Sequence, residues 1–155
     1  MSKPTLHITN WSSKKLHGTG KKWTIMARPR QWENGDGNIF RLTPWPEDLD
    51  ALKTEKCSLA EYKNRYDEKV FGTHATADML EPIWSKDLSP GFLRADVGNF
   101  SVVVQDNDTI CCGCSREASL SGLCHRAWAA SYLLEAGWNI VLEGIQLSSL
   151  EKVEV

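Results

Sequence analysis

The chain has 155 residues, 41 % of them hydrophobic and 25 % charged, and a formal charge of −2. That length and apolar content fill one core, so a single domain over 1–155 is expected and two full domains are excluded. A mean hydropathy of −0.37 and the lack of any apolar run near the roughly 20 residues that span a bilayer exclude an integral membrane protein.

Thr5 to Thr9 alternates in β-rich residues and runs into Asn10-Trp11-Ser12-Ser13, which reads as a first strand and a loop. A polar stretch with Gly18 and Gly20 leads into a second strand, Lys22 to Ala27, which stops at Arg28-Pro29-Arg30 because proline cannot donate to a ladder. Arg28 therefore sits at the carboxyl end of a strand. From Gln31 to Pro46, glycines, Asn34, Pro44 and Pro46 predict a long loop. Pro46 then opens a short helix with Glu47, Asp48 and Asp50 in its first turns, a placement the helix dipole favours.

Ser58 followed by Glu61 is a capping box, and Leu59, Tyr62, Tyr66 and Val70 recur at helical spacing, so a second helix buries a tyrosine stripe. Residues 71–100 carry no clear period. Phe100 to Val104 and Asp108 to Cys112 are β-rich runs around the polar turn 105–107, the pattern of a hairpin. An alanine-rich helix, Leu123 to Ala136, ends at Gly137, and Trp138 to Leu142 forms the last strand. Strand, helix and strand make a βαβ unit. Together these elements define an α/β class: a mixed, mostly parallel sheet with flanking helices, Rossmann-like in architecture.

Charge is unevenly spread. Residues 1–41 hold eight Lys and Arg against Glu33 and Asp36, a net of +6, which leaves −8 for the remainder. The same region holds Trp11, Trp23 and Trp32, with Trp45 close behind. Basic and aromatic residues together suit a phosphate-bearing or aromatic ligand; ordinary core tryptophans under a solvated basic surface give the same pattern.

Four of the five cysteines, Cys111, Cys112, Cys114 and Cys124, fall within fourteen residues. The opening residues show no secretory signal, so a reducing cytoplasm is the expected setting and a disulfide framework is not. In a βαβ unit ligands gather beyond the carboxyl ends of the strands, where helix amides point outward. Cys112 to Arg126 occupies that position. Cys124 at the helix start would be stabilised as a thiolate, His125 could serve as its acid or base, and Arg126 could add positive charge. Cys112 is a second candidate nucleophile. Arg28 and Arg126 would hold an anion, and Asn10 and Trp11 could line the other side.

Two other readings of the cluster stay open. Cys112, Cys114, Cys124 and His125 could bind zinc, although the spacing lacks the usual C-x2-C pairs and neighbouring helix residues point about 100° apart. Alternatively the cysteines are buried filler. A phosphatase loop, Cys-x5-Arg, is excluded by the spacing to Arg116, and no nucleophile elbow, Walker loop or dinucleotide fingerprint is present.

Cys124-His125-Arg126 entering a helix after a cysteine-ended strand, with Ile25-Met-Ala-Arg-Pro29 and Leu59 to Tyr66 upstream, resembles the prokaryotic family called domain of unknown function 488. The resemblance implies a compact α/β domain in which Arg28, Cys124, His125 and Arg126 converge on one cleft, in a prokaryotic or phage cytoplasm. It implies no settled activity. The extra cysteines Cys111, Cys112 and Cys114 depart from the family pattern.

The expected function is binding of a phosphorylated, nucleotide-like ligand at the carboxyl edge of the sheet, with chemistry at the Cys/His/Arg cluster. The rival readings are a non-catalytic nucleic-acid or protein binding module acting through Lys14, Lys15, Lys21 and Lys22, and a zinc-stabilised domain. No cofactor, oligomeric state or membrane partner is indicated.

Overall fold

A computed structural model describes residues 3–72, 86–113 and 125–147. Eight strands form one mixed sheet, and three α-helices accompany it among the described residues. The strands are β1 (Thr5–Asn10), β2 (Lys22–Thr24), β3 (Gly37–Asn38), β4 (Arg94–Val97), β5 (Phe100–Val103), β6 (Thr109–Cys112), β7 (Asn139–Leu142) and β8 (Ile145–Leu147). The helices are α1 (Pro46–Lys53), α2 (Leu59–Phe71) and α3 (His125–Glu135). No helix among the described residues is long and apolar enough to cross a membrane.

The sheet order is β5-β4-β3-β2-β6-β1-β7-β8. Its centre, β3-β2-β6-β1-β7, is parallel, while β4, β5 and β8 join antiparallel at the margins. The expectation of a mostly parallel sheet thus holds for the centre and fails at both edges. Strands β6 and β7 flank β1 and are joined through α3, as the βαβ reading requires.

Register decides which residues reach the core. Leu6, Ile8, Ile110, Cys112, Ile140 and Leu142 share one face and pack with Tyr62, Tyr66 and Val70 of α2 and with Trp128, Ala129 and Leu133 of α3. Ser58 Oγ accepts from Glu61 N and Glu61 Oε1 accepts from Ser58 N, so α2 begins where the capping box places it. Tyr66 Oη donates to Leu42 O at 2.6 Å, which ties the stripe to the preceding loop.

The opposite face is also buried but polar, with Thr9, Thr24, Thr109 and Cys111 in register across three strands. The segment after β1 lies against it. Gly18 N donates to Thr109 Oγ1 at 2.7 Å, and Lys22 Nζ donates to Gly18 O and Gly20 O. Glycine is needed at 18, because a Cβ there would sit 2.2 Å from Asn107 O and 2.5 Å from His7 Cδ2.

Three expectations are corrected here. The second strand ends at Thr24 rather than Ala27. Phe100–Val103 and Thr109–Cys112 do not form a hairpin: β5 pairs with β4 across a turn at Gly98, and β6 pairs with β1 and β2. The cause lies in the connecting turn, where Val104 N bonds to Leu93 O but Asn107 N bonds to Thr5 O, so the chain leaves one pairing for another within three residues. Finally, the unpatterned stretch 71–100 contains the strand β4, whose Arg94, Asp96 and Val97 are exposed and leave no apolar alternation to read.

Candidate functional site

Beyond the carboxyl ends of β2 and β6 lies a cavity of about 430 Å³, within the size range of small-molecule sites. One wall is apolar, made by Met26, Pro44, Leu49, Leu52 and Tyr62. The cations Arg28, Arg30 and Lys53 also line it, with Glu33, Cys112, Gly113 and His125. Arg28 leaves the chain just after β2, and Lys53 ends α1, so two separate elements direct positive charge to one opening.

Cys112 and His125 meet in this cavity. Sγ lies 3.5 Å from His125 Nε2, and the same nitrogen lies 2.8 Å from Ile25 O. A carbonyl only accepts, so Nε2 carries a proton and presents its N–H between oxygen and sulfur. The N–H is bonded to the Ile25 carbonyl at the shorter distance, and this nitrogen is not placed to remove a thiol proton from Cys112, which is buried. The sequence suggests an acid or base role for His125; the structure places Nε2 toward Ile25 O and Cys112 as a donor. The ring of His125 is held edge-on to Tyr66 at 5.6 Å, which links the site to the α2 stripe.

Arg28 is exposed and pairs with Asp50, Nη2 to Oδ2 at 2.7 Å and Nε to Oδ1 at 3.3 Å. An exposed pair of this kind is weak and exchanges readily with another anion. Arg30 bonds Glu33 through Nε at 3.0 Å and lies 5.1 Å above the ring of Trp32.

Arg126 does not face the cavity. It is fully buried, with Nη2 2.6 Å from Glu143 Oε1, and Thr9 Oγ1 donates to Glu143 Oε2 at 2.9 Å. Successive helix residues diverge by about 100°, so His125 turns to the cavity while Arg126 turns to the ends of β1 and β7. Its expected anion-holding role is corrected to an internal ion pair. Glu143 occupies a left-handed conformation, φ +52°, in a two-residue turn with Gly144 at +80° between paired Leu142 and Ile145.

Asn10 and Trp11 are not among the described residues that line the cavity. Asn10 Oδ1 accepts from Ser13 N at 2.8 Å, and Trp11 is buried edge-on to His17. Asn10 thus closes the turn after β1, and Trp11 packs on the segment that follows it. Cys124 and Cys114 lie outside the described residues. Among the described residues no group of three or more His, Cys, Asp and Glu side chains is placed to hold a metal ion. Of the four tryptophans of the basic segment, Trp11 and Trp23 are buried, and Trp32 and Trp45 are exposed.

Cys111, next in sequence to Cys112, points to the other face of the sheet, 3.9 Å from His17 Nε2. Burial pushes its thiol up to about 12. Two consequences follow from that direction. In the native protein at pH 8 Cys111 should resist an alkylating reagent that labels it readily in the urea-unfolded chain, as read by fragment mass mapping. Stability should also fall as pH rises above the free-thiol value of 9.0, because the unfolded chain then loses a proton that the folded chain keeps.

Sequence reasoning missed Arg30, Glu33 and Lys53. The pair Arg30 and Glu33 carries a signal, opposite charges three residues apart on one turn. Lys53 carries none beyond closing a helix.

The fold and cavity define an α/β protein with a thiol–imidazole contact and three cations around one opening at the carboxyl ends of parallel strands. Compared with protein-family models, curated proteins and solved structures, the chain matches none.

Proposed function

We propose that the cavity binds a small phosphorylated, nucleotide-like ligand and presents it to the Cys112 thiol. The observation that supports this most is the convergence of Arg28, Arg30 and Lys53 on a cavity whose floor holds a sulfur 3.5 Å from a ring N–H. The cations suit a phosphate, and the wall of Met26, Leu49, Leu52 and Tyr62 suits an aromatic or apolar body. In this reading the parallel centre works as a Rossmann-like core, with its ligand beyond the strand ends. Kinship with the domain of unknown function 488 belongs to the same proposal.

Within it, the Cys112 sulfur and the His125 Nε2–H are the polar contacts that the inner end of the cavity offers the ligand. Titration calorimetry with inorganic phosphate and adenosine monophosphate tests the binding step. Arg28→Ala with Lys53→Ala should weaken both ligands by about tenfold for each cation removed. Equal affinity in the double variant, or no heat from either ligand at millimolar concentration, would overturn the reading.

A further inference from the structure

Glu33 is the least expected group in the cavity. Its side chain is 2 % exposed, although it sits in a three-residue 3-10 turn (Gln31–Glu33) in a loop where water is close at hand. Oε1 accepts from Arg30 N at 2.9 Å and Arg30 Nε at 3.0 Å. Oε2 makes no hydrogen bond among the described residues. It points to the Gly113 wall of the cavity, where a Cβ built on Gly113 would lie 3.7 Å from it.

The Oε1 bonds hold the turn as a capping box around Arg30 N. They leave Oε2 as an acceptor on the cavity side, where a ligand that brings a donor gains a hydrogen bond to a charged group.

Resting on the phosphate-binding reading of the cavity, we propose that Glu33 selects the ligand: the guest carries a hydrogen-bond donor at one end, for Oε2, and its anion at the other, for Arg28 and Lys53. An amino-bearing nucleobase, a sugar hydroxyl and an ammonium group all supply that donor. Gly113 forms the neighbouring wall. A Cβ at 113 would stand 3.7 Å from Oε2, in ordinary contact, and 2.9 Å from the flexible end of Met26, so the residue at 113 lies beside the carboxylate without closing it off.

Calorimetry on the full chain with four probes tests the selection: inorganic phosphate, ribose 5-phosphate, adenosine monophosphate and O-phosphoserine. Glu33→Gln can keep its amide oxygen on Arg30 while turning the cavity-facing atom from acceptor to donor. At least one donor-bearing probe should then bind about tenfold or more weaker, as expected for a missing hydrogen bond to a charged group, while inorganic phosphate changes less than twofold. Which probe responds identifies the source of the donor. Inorganic phosphate, still bound by Glu33→Gln, reports in the same titration that the cavity is folded.

Donor-bearing probes that lose nothing in Glu33→Gln overturn the role of Glu33 and leave the cavity reading standing. Absence of any phosphate binding sensitive to Arg28 and Lys53 overturns the cavity reading, and the selection with it.

Discussion

Arg126→Met is expected to lower the folding stability by about 3–5 kcal/mol, as removal of one partner of a buried ion pair does. Both side chains of the pair are fully buried, the two groups are 2.6 Å apart, and Thr9 holds the second carboxylate oxygen. Without the guanidinium, Glu143 has nowhere to go: its φ of +52° fixes the turn after β7, and its N–H is bonded to Ile8 O. A loss of that size is a large share of the roughly 5–15 kcal/mol typical of a domain. Equilibrium urea unfolding reads it directly. Arg126→Met with Glu143→Leu should recover much of the loss, because no charge is then stranded. A single variant within about 1 kcal/mol of the parent would mean that the pair is solvated in the native state. Phosphate affinity, measured well below the melting point, should stay unchanged in Arg126→Met, which separates this arginine from those at the cavity.

The misplacement of Arg126 shows where the sequence is readable and where it stops. Cys112, His125 and Arg28 could be placed at one edge of the sheet because each adjoins an element with a strong local signal: a β-rich run, a helix, a proline-stopped strand. Cys112 and His125 do meet. Which way each side chain turns is another matter, since one step along a helix separates a cavity-facing imidazole from a buried guanidinium. The α2 stripe was legible for a like reason, its capping box and period acting within a single helix.

Pairing between strands is not local, and there the reading failed. Phe100–Val103 and Thr109–Cys112 look like hairpin arms, yet nothing in a β-rich run names its partner. β6 inserts between β1 and β2 and is buried along its whole length. Glu33 was illegible for a different reason. Its loop has no period, and the cavity wall it faces, Gly113, lies eighty residues further on.

The carboxylate that settles the competition among strand partners is Asp108, and Asp108→Ala should be the second severe substitution. Asp108 is 2 % exposed. Oδ1 accepts from Lys21 N at 2.9 Å, and Oδ2 accepts from Gln105 N and Trp23 Nε1, each at 2.8 Å. One side chain thus closes the turn that ends β5, holds the start of β2 and anchors a core indole. Alanine leaves three donors without their acceptor, at about 1–3 kcal/mol for each one that water cannot reach, so a total near 3–5 kcal/mol is expected. Asp108→Asn keeps one acceptor oxygen but turns an NH2 toward a donor, and should fall between the two. The effect should reach the site as well as the fold. Asp108 sets β2 beside β6 in the register Lys22 to Thr109 and Thr24 to Cys111, and those two strands deliver the Ile25 carbonyl and the Cys112 sulfur to the same nitrogen of His125. In Asp108→Ala, tryptophan emission should shift to the red as Trp23 loses its partner, and Cys111 should become open to alkylation under native conditions. An unchanged urea midpoint, with Cys111 still protected, would show that the backbone ladder alone holds β2 and β6 together and that Asp108 is a passenger.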